Sequence, residues 1–128
     1  MPRTRKDEAV PLVDTPAVVG RYAELDDYAV SFETFPGDAD GTEHLKGLPD
    51  DRCPCPHWGM ILSGRLTLRY PDRVETYDAG DVYYAPPGHV PLGAGGTGTV
   101  EFSPAPALRQ TMTVVAATMA GAPTAGAQ

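Results

Sequence analysis

The chain has 128 residues, of which 41% are hydrophobic, and a formal net charge of −7 at pH 7. This length is typical of one domain with a modest core. An acidic surface repels phosphate backbones, so we expect no nucleic-acid partner. No apolar run is long enough to cross a bilayer, and the N-terminal residues lack the apolar stretch of a secretory signal. We therefore expect a cytoplasmic protein with no membrane partner.

Glycine and proline, with 14 residues of each, punctuate the chain and favour many short strands over long helices. Residues 1–16 are polar and contain prolines, and we interpret them as a flexible arm. Residues 37–52 form a long loop rich in glycine and aspartate. Alternating apolar residues between turn signals predict strands over residues 18–22, 28–35, 57–62, 65–70, 74–77, 81–85 and 97–102.

The C-terminal part has a different pattern. Ser103 can cap a helix whose first position is Pro104. Apolar residues then recur at helical spacing, which predicts a helix over residues 107–119. We expect this helix to pack on the barrel into which the short strands close. A terminal strand over residues 111–115 is the alternative. Residues 121–128 are small and polar, and we interpret them as a flexible tail after a domain that spans residues 17–120.

The segment from Cys53 to His57 reads Cys-Pro-Cys-Pro-His. On an extended backbone, residues two apart point to the same side, so Cys53, Cys55 and His57 would share one face. Each proline restricts the residue before it to extended conformations, which favours this arrangement. Thiolates and imidazole together suit zinc best among the common divalent metals. The segment predicts a zinc site, and two buried, inert cysteines are the simpler alternative.

Residues 51–103 resemble the two-motif core of the cupin superfamily. The first cupin motif ends in apolar residues and a glycine, which residues 61–64 match. The second, a glycine followed by five residues and then Pro-x-Gly, matches residues 80–88. The resemblance implies an all-β, cupin-type jelly-roll β-barrel with a short C-terminal helix, and it predicts a homodimer.

The ligand positions of the family are altered in this chain. Asp51, Cys53 and His57 stand where the first motif has its two histidines and its glutamate. Pro91 stands where the second motif has its ligand histidine, while His89 lies two residues earlier and can be aimed into the pocket by the Pro-Gly turn. The expected metal ligands are therefore Cys53, Cys55, His57 and His89.

Three further residues are candidates for the site. Asp51 is either an extra ligand or an ordinary loop aspartate. His44, in the long loop, is either exposed or an acid–base residue on a lid over the metal. Glu101 lies between Val100 and Phe102; if those two face the core, Glu101 faces solvent, which is our expectation. With the opposite parity it is a buried acid and a candidate base.

The predicted strands also orient four residues near these candidates, two of them in the strand of His57. The first of the two is Gly59. It shares the parity of His57, so we expect it to leave room beside the metal for a small molecule. Trp58 should point outward, toward the barrel exterior or a subunit interface. Tyr83 and Tyr84 alternate on one strand, so one of them should face inward.

These features support three hypotheses about function. The first is a metal-dependent enzyme acting on an organic acid or similar polar metabolite; its mark is an open coordination position facing a pocket. The second is a non-catalytic binding or redox-sensing module, in which four protein ligands close a zinc site. The third is a metal-free barrel that binds a small ligand in its apolar interior. The sequence does not decide between enzyme and binding module.

Overall fold

The computed structural model describes the backbone of residues 2–127 and the side chains of residues 2–120. This part of the chain folds into ten strands and a C-terminal helix. Their bounds are β1 Val10–Asp14, β2 Val19–Leu25, β3 Tyr28–Phe35, β4 Ala39–Asp40, β5 His57–Ser63, β6 Arg65–Arg69, β7 Val74–Asp78, β8 Val82–Ala85, β9 Val90–Gly93, β10 Thr97–Pro104 and α1 Ala105–Ala127. Single turns of 3-10 helix occupy Lys6–Glu8, Glu43–Leu45 and Pro49–Asp51.

The strands form two antiparallel sheets. The larger has the order β1-β2-β3-β10-β5-β8, and the smaller has the order β4-β9-β6-β7. Inward-facing residues of both sheets enclose one core. Jelly-roll barrels have this arrangement, which limits the exposure of sheet edges. The predicted all-β jelly-roll barrel with a C-terminal helix is confirmed.

Alternation along the strands sets which side chains reach the interior. On β5, His57, Gly59 and Ile61 are buried, while the residues between them face outward. Leu66 and Leu68 of β6 are each 2% exposed and face them from the other sheet. The sequence therefore sends every second residue of β5 into the barrel, beginning with a histidine.

Three strands were not predicted from the sequence. Ala39–Asp40 forms β4, inside the predicted loop over residues 37–52, and pairs with β9. Val10–Asp14, inside the predicted arm, forms β1 and pairs with β2 at the edge of the larger sheet. Val90–Gly93 forms β9 although Pro91 interrupts its pattern. The remaining limits of the predicted arm, domain and tail stay predictions, and the predicted tail, 121–128, lies outside the residues whose side chains are described.

The C-terminal helix is confirmed, and the alternative strand over residues 111–115 is wrong. Helix α1 follows β10 directly, and Leu108, Met112 and Val115 line one end of the barrel interior. It also packs against the turn Glu43–Leu45, where the Thr118 hydroxyl donates to the Lys46 carbonyl at 2.7 Å. Within the described residues, no helix combines the length and apolar character needed to span a bilayer.

Candidate metal centre

Backbone pairing brings two distant ligand residues together. The Cys53 amide donates to the His89 carbonyl at 2.9 Å, and the Gly88 amide donates to the Cys53 carbonyl at 2.7 Å. Gly88 has φ +100°, a left-handed conformation that glycine adopts without a steric penalty. The Pro86-Pro87-Gly88 turn thus aims His89 into the barrel beside Cys53, as the sequence analysis proposed.

His57 completes a group of three potential ligands. The ligand atoms of Cys53, His57 and His89 all lie within 4.8 Å of one another. The distance from Cys53 Sγ to His57 Nε2 is 3.7 Å. Tetrahedral zinc with bonds of about 2.3 Å to sulfur and 2.05 Å to nitrogen would place these atoms about 3.5 Å apart. The spacing of Cys53 and His57 therefore matches that of two ligands of one ion, and a His89 ligand atom lies within 4.8 Å of both.

Hydrogen bonds orient both imidazoles. His89 Nδ1 lies 2.9 Å from the Pro86 carbonyl, which only accepts, so Nδ1 carries the proton and Nε2 keeps its lone pair. His57 Nδ1 lies 2.6 Å from the Ser103 hydroxyl. Partners on the far nitrogen commonly fix the ring of a metal-binding histidine. Ser103, which the sequence analysis did not single out as a histidine partner, fulfils this role from β10.

Burial keeps the three groups in uncharged forms when nothing binds them. Desolvation lowers the pKa of His57 and of His89 to about 4, so both rings are neutral at pH 7. Desolvation also raises the pKa of the Cys53 thiol far above its ordinary value. Neutral imidazoles are ready ligands, whereas the thiolate needs a neighbouring cation. The donor set thus fits a divalent metal ion.

Cys55 does not join this group, although the sequence analysis placed it there. It is buried like Cys53, but its thiol lies 3.6 Å from the Pro56 carbonyl and interacts with Ser103. The chain turns between Cys53 and His57 instead of continuing as one strand, so shared burial does not give a shared direction. Asp51 is also outside the group: its side chain accepts from the Gly47 amide at 3.0 Å in an exposed loop.

A buried carboxyl faces the interior from β10, contrary to expectation. Glu101 is 6% exposed, whereas Phe102 is 44% exposed, so the strand has the parity opposite to the one predicted. The Tyr83 hydroxyl donates a short hydrogen bond to Glu101 Oε2. Tyr83 and Glu101 flank Gly59 in register, on β8 and β10. The space above Gly59 is therefore filled by this hydrogen-bonded pair and is not empty.

A second carboxyl, Glu33, repeats the arrangement on β3, and the sequence analysis missed it. The Tyr22 hydroxyl lies 3.4 Å from Glu33 Oε2. Gly20 is paired with Glu33, and a Cβ at Gly20 would come within 2.6 Å of the Tyr22 hydroxyl. Glu33 shares a face of β3 with Ala29 and Ser31, which are buried. This alternation was the signal that could have predicted an inward-facing Glu33.

Both carboxyls line a cavity of about 110 Å³ that the proposed ligands also reach. Its remaining wall is largely apolar and includes His44, whose role as a lid residue stays a prediction. Burial and mutual repulsion raise the pKa of Glu33 to about 8, and burial raises that of Glu101 to about 7. The interior therefore holds a set of three potential metal ligands and, apart from it, a pair of carboxyls.

These carboxyls predict how stability changes with pH. Each binds its proton more tightly in the folded chain, so its stabilising contribution is complete below pH 4.5 and is lost as pH rises through the folded pKa. The two buried histidines oppose this only below pH 6.5, their unfolded pKa. Between pH 6.5 and 8 we expect the metal-free protein to lose about 1–2 kcal/mol of stability.

Urea unfolding in the presence of a chelator measures this loss. The Glu33→Gln/Glu101→Gln variant, which keeps the shape of both side chains, should show a nearly flat profile over the same interval. Stability that increases from pH 6.5 to 8 in the original protein would show that the carboxyls are not held protonated by burial.

Comparison with known proteins defines the fold. No protein-family model matches the sequence, and no curated protein matches it. An RmlC-like cupin from Shewanella frigidimarina is similar over 79% of this chain and 88% of its own, with 14% identity and a TM-score of 0.55. KdgF from Halomonas sp. shares 18% identity over 70% of this chain and 81% of its own, with a TM-score of 0.51.

A protein of unknown function from Rhizobium leguminosarum aligns with 81% of this chain and 95% of its own, at 13% identity and a TM-score of 0.59. Such identities establish the fold, while the chemistry has to be argued from the residues of this chain. The chain is a small cupin-fold protein, as its two motifs predict.

Proposed function

We propose that this protein is a zinc-dependent cupin enzyme acting on a small polar metabolite, with Cys53, His57 and His89 as the metal ligands. The observation that carries the proposal is the position of these residues: three ligand atoms converge in the wall of an interior cavity. Catalytic zinc sites have three protein ligands and one open position, whereas structural sites have four. The absence of Cys55 from the group favours the catalytic arrangement.

Zinc held by Cys53, His57 and His89 would supply a Lewis acid and would lower the pKa of a coordinated water. The side chains around it provide the remaining functions. Ser103 and the Pro86 carbonyl hold the two imidazoles. Glu101 has a pKa close to neutrality, which suits a group that accepts and returns a proton during turnover. The Tyr83 hydroxyl fixes the orientation of this carboxyl.

A non-catalytic zinc-stabilised or redox-sensing module is the alternative function. Redox sensors need accessible thiols with low pKa values. Cys53 and Cys55 are free but buried, and burial raises the pKa of Cys55 to about 11. These properties argue against a sensor. Free cysteines agree with the cytoplasmic location that we propose from the sequence.

Elemental analysis of protein purified without chelator tests the proposal, with one zinc per chain as the expected result. Replacing zinc by cobalt then tests the open position. The visible spectrum of the cobalt protein should change when an exchangeable ligand such as imidazole is added. An unchanged spectrum would indicate four protein ligands and the non-catalytic alternative, and protein free of metal would indicate a metal-free binding barrel.

We also propose that the protein is a homodimer through the outer face of its larger sheet. That face carries seven exposed large apolar residues, with exposures from 38% to 77%: Tyr28, Trp58, Met60, Leu62, Val82, Tyr84 and Phe102. At about 200 Å² for each side chain, half exposed on average, they present roughly 700 Å² of apolar surface. This exceeds the usual largest patch of a monomer and approaches the 800 Å² or so per subunit of a stable interface.

The aromatic residues of this face already stack on one another, with Trp58 5.1 Å from Tyr84 between ring centroids. We expect the Trp58→Lys/Phe102→Glu variant to elute as a monomer in size-exclusion chromatography with light scattering. Val74→Lys, at a 60% exposed position on the smaller sheet, is the matched control and should remain dimeric. A monomeric original protein would refute the proposal.

A further inference from the structure

We propose that the cavity binds a small primary amine, or a similar organic cation, with its charged head between Glu33 and Glu101. This inference deepens the proposed function, since it names the ligand class for the same cavity. It depends on a second group of polar residues, separate from the three potential metal ligands.

The two carboxyl residues are placed together by strand register. On the paired strands β3 and β10, Glu101 lies opposite Ser31, and Glu33 lies opposite Thr99. Glu33 and Glu101 are therefore diagonal neighbours on one face, the arrangement in which long side chains of adjacent strands reach each other. Both carboxyls line the cavity, and each has a tyrosine hydroxyl beside it. The pair can approach one ligand from two sides.

The two carboxyls of the cavity, a buried Glu101 and a half-buried Glu33, have no lysine or arginine partner among the described lining residues. Buried acidic groups in proteins are paired with a cation, coordinate a metal or stay protonated. Desolvation, and after it repulsion from Glu101, raises the pKa of Glu33, as expected for an acid without a counter-charge. A ligand with one positive charge would supply the counter-charge that the described lining residues do not provide.

Thr99 provides an independent sign of a missing partner. It is 2% exposed, and its hydroxyl has no hydrogen-bond partner among the described residues. Thr99 lies opposite Glu33 and two residues before Glu101 on the same inward face. A buried hydroxyl without a partner is costly. Thr99 leaves an unsatisfied polar group on the same strand pair that carries the two cavity-lining carboxyls.

The rest of the cavity limits the size and character of the ligand. Leu66, Leu68, Leu108, Met112 and Val115 form an apolar wall. A volume of about 110 Å³ accommodates roughly four to six heavy atoms, by comparison with cavities that hold benzene. The aromatic ring of Tyr22, which also lines the cavity, adds a surface that attracts cations. A short alkyl chain ending in an ammonium group satisfies all of these features.

The net charge expected for the cavity with a metal ion bound also favours a cationic ligand. Both carboxyls tend to keep their protons near neutral pH while no counter-charge is present, and a bound cation would favour their ionised forms. A divalent metal with one thiolate would then leave one positive charge, against two negative charges on the carboxylates. One monovalent cation makes the interior neutral, as burial in a low-dielectric environment requires. An organic acid would instead leave two uncompensated negative charges, so the cavity selects against the carboxylate substrates that the sequence analysis considered.

Three ligands of matched size test this selection: n-butylamine, 1-butanol and butyrate. We expect NMR titration of the metal-loaded protein to show butylamine binding at least tenfold more tightly than butanol, with no binding of butyrate. In Glu33→Gln/Glu101→Gln, butylamine affinity should decrease at least tenfold, while butanol affinity stays the same. Equal affinity for amine and alcohol, or preference for butyrate, would overturn the proposal.

Two controls separate this inference from the proposed metal site. The double variant should retain its metal, and Cys53→Ser should lose metal while still preferring the amine. If the double variant is unfolded by its NMR spectrum, Glu33→Gln replaces it, because Glu33 makes only a 3.4 Å contact with Tyr22. Full amine affinity in that folded variant would count against the proposal. A protein that binds no metal but prefers butylamine would refute only the proposed function.

Discussion

Replacing Cys53 by serine is expected to abolish stoichiometric zinc binding and to lower the melting temperature by more than 10 °C. A hydroxyl at this position is a poor ligand at neutral pH, because zinc favours the thiolate. Loss of a ligand present at a thousand times its dissociation constant removes about 4 kcal/mol of stability. For a domain of this size, 1 kcal/mol corresponds to roughly 3–5 °C.

The matched control is Cys55→Ser, two residues away in the same segment. Cys55 is as buried as Cys53, yet its sulfur lies outside the group of converging ligand atoms. We expect this variant to keep its zinc and to lose only the stability of one buried thiol. Metal content and thermal unfolding with and without chelator measure both effects. Equal zinc loss in the two variants would mean that Cys55 is a ligand after all, as the alternating pattern first indicated.

The contrast between the two cysteines shows what alternation in a sequence can and cannot predict. It predicted that Cys53, Cys55 and His57 share one face, and the structure buries all three. It did not give the direction of the Cys55 side chain, because the segment before β5 is a turn held by its pairing with His89. That pairing joins residues 36 positions apart, which no local pattern encodes. The sequence motif supplied the Pro-Gly turn that makes His89 available.

The interior of β10 was mispredicted for a related reason. We assumed that the apolar residues of this strand, Val100 and Phe102, face the core. In the structure they face outward, where Phe102 joins the aromatic surface that we propose as a dimer interface. The inward positions carry polar residues instead: Thr97, Thr99, Glu101 and Ser103. The inward face of β10 is therefore polar and its outward face largely apolar, the reverse of the usual rule, although the strand itself was predicted correctly.

Gly59→Ala is expected to destabilise the protein by about 3 kcal/mol, since overpacking in a well-packed interior costs this order of energy. An added Cβ would lie 2.7 Å from the Val100 carbonyl oxygen and 2.8 Å from both the Tyr83 hydroxyl and Glu101 Cγ. The Val100 oxygen belongs to the paired backbone of β10, so the methyl group cannot be accommodated by moving side chains alone. Separation of Tyr83 from Glu101 should accompany the loss of stability.

Gly37→Ala is the control for Gly59→Ala, because a Cβ at Gly37 meets no atom within 4 Å and its φ is not positive. It should leave urea unfolding unchanged or slightly more favourable, as expected when a loop glycine is replaced without strain. Tyr83→Phe removes one of the atoms that a Cβ at Gly59 would meet but leaves the backbone oxygen in place. It should therefore restore only part of the stability lost in Gly59→Ala. Full restoration would mean that only the Tyr83 hydroxyl excludes a methyl group at position 59. The close approach of β10 to β5 would then not be the reason for glycine at this position.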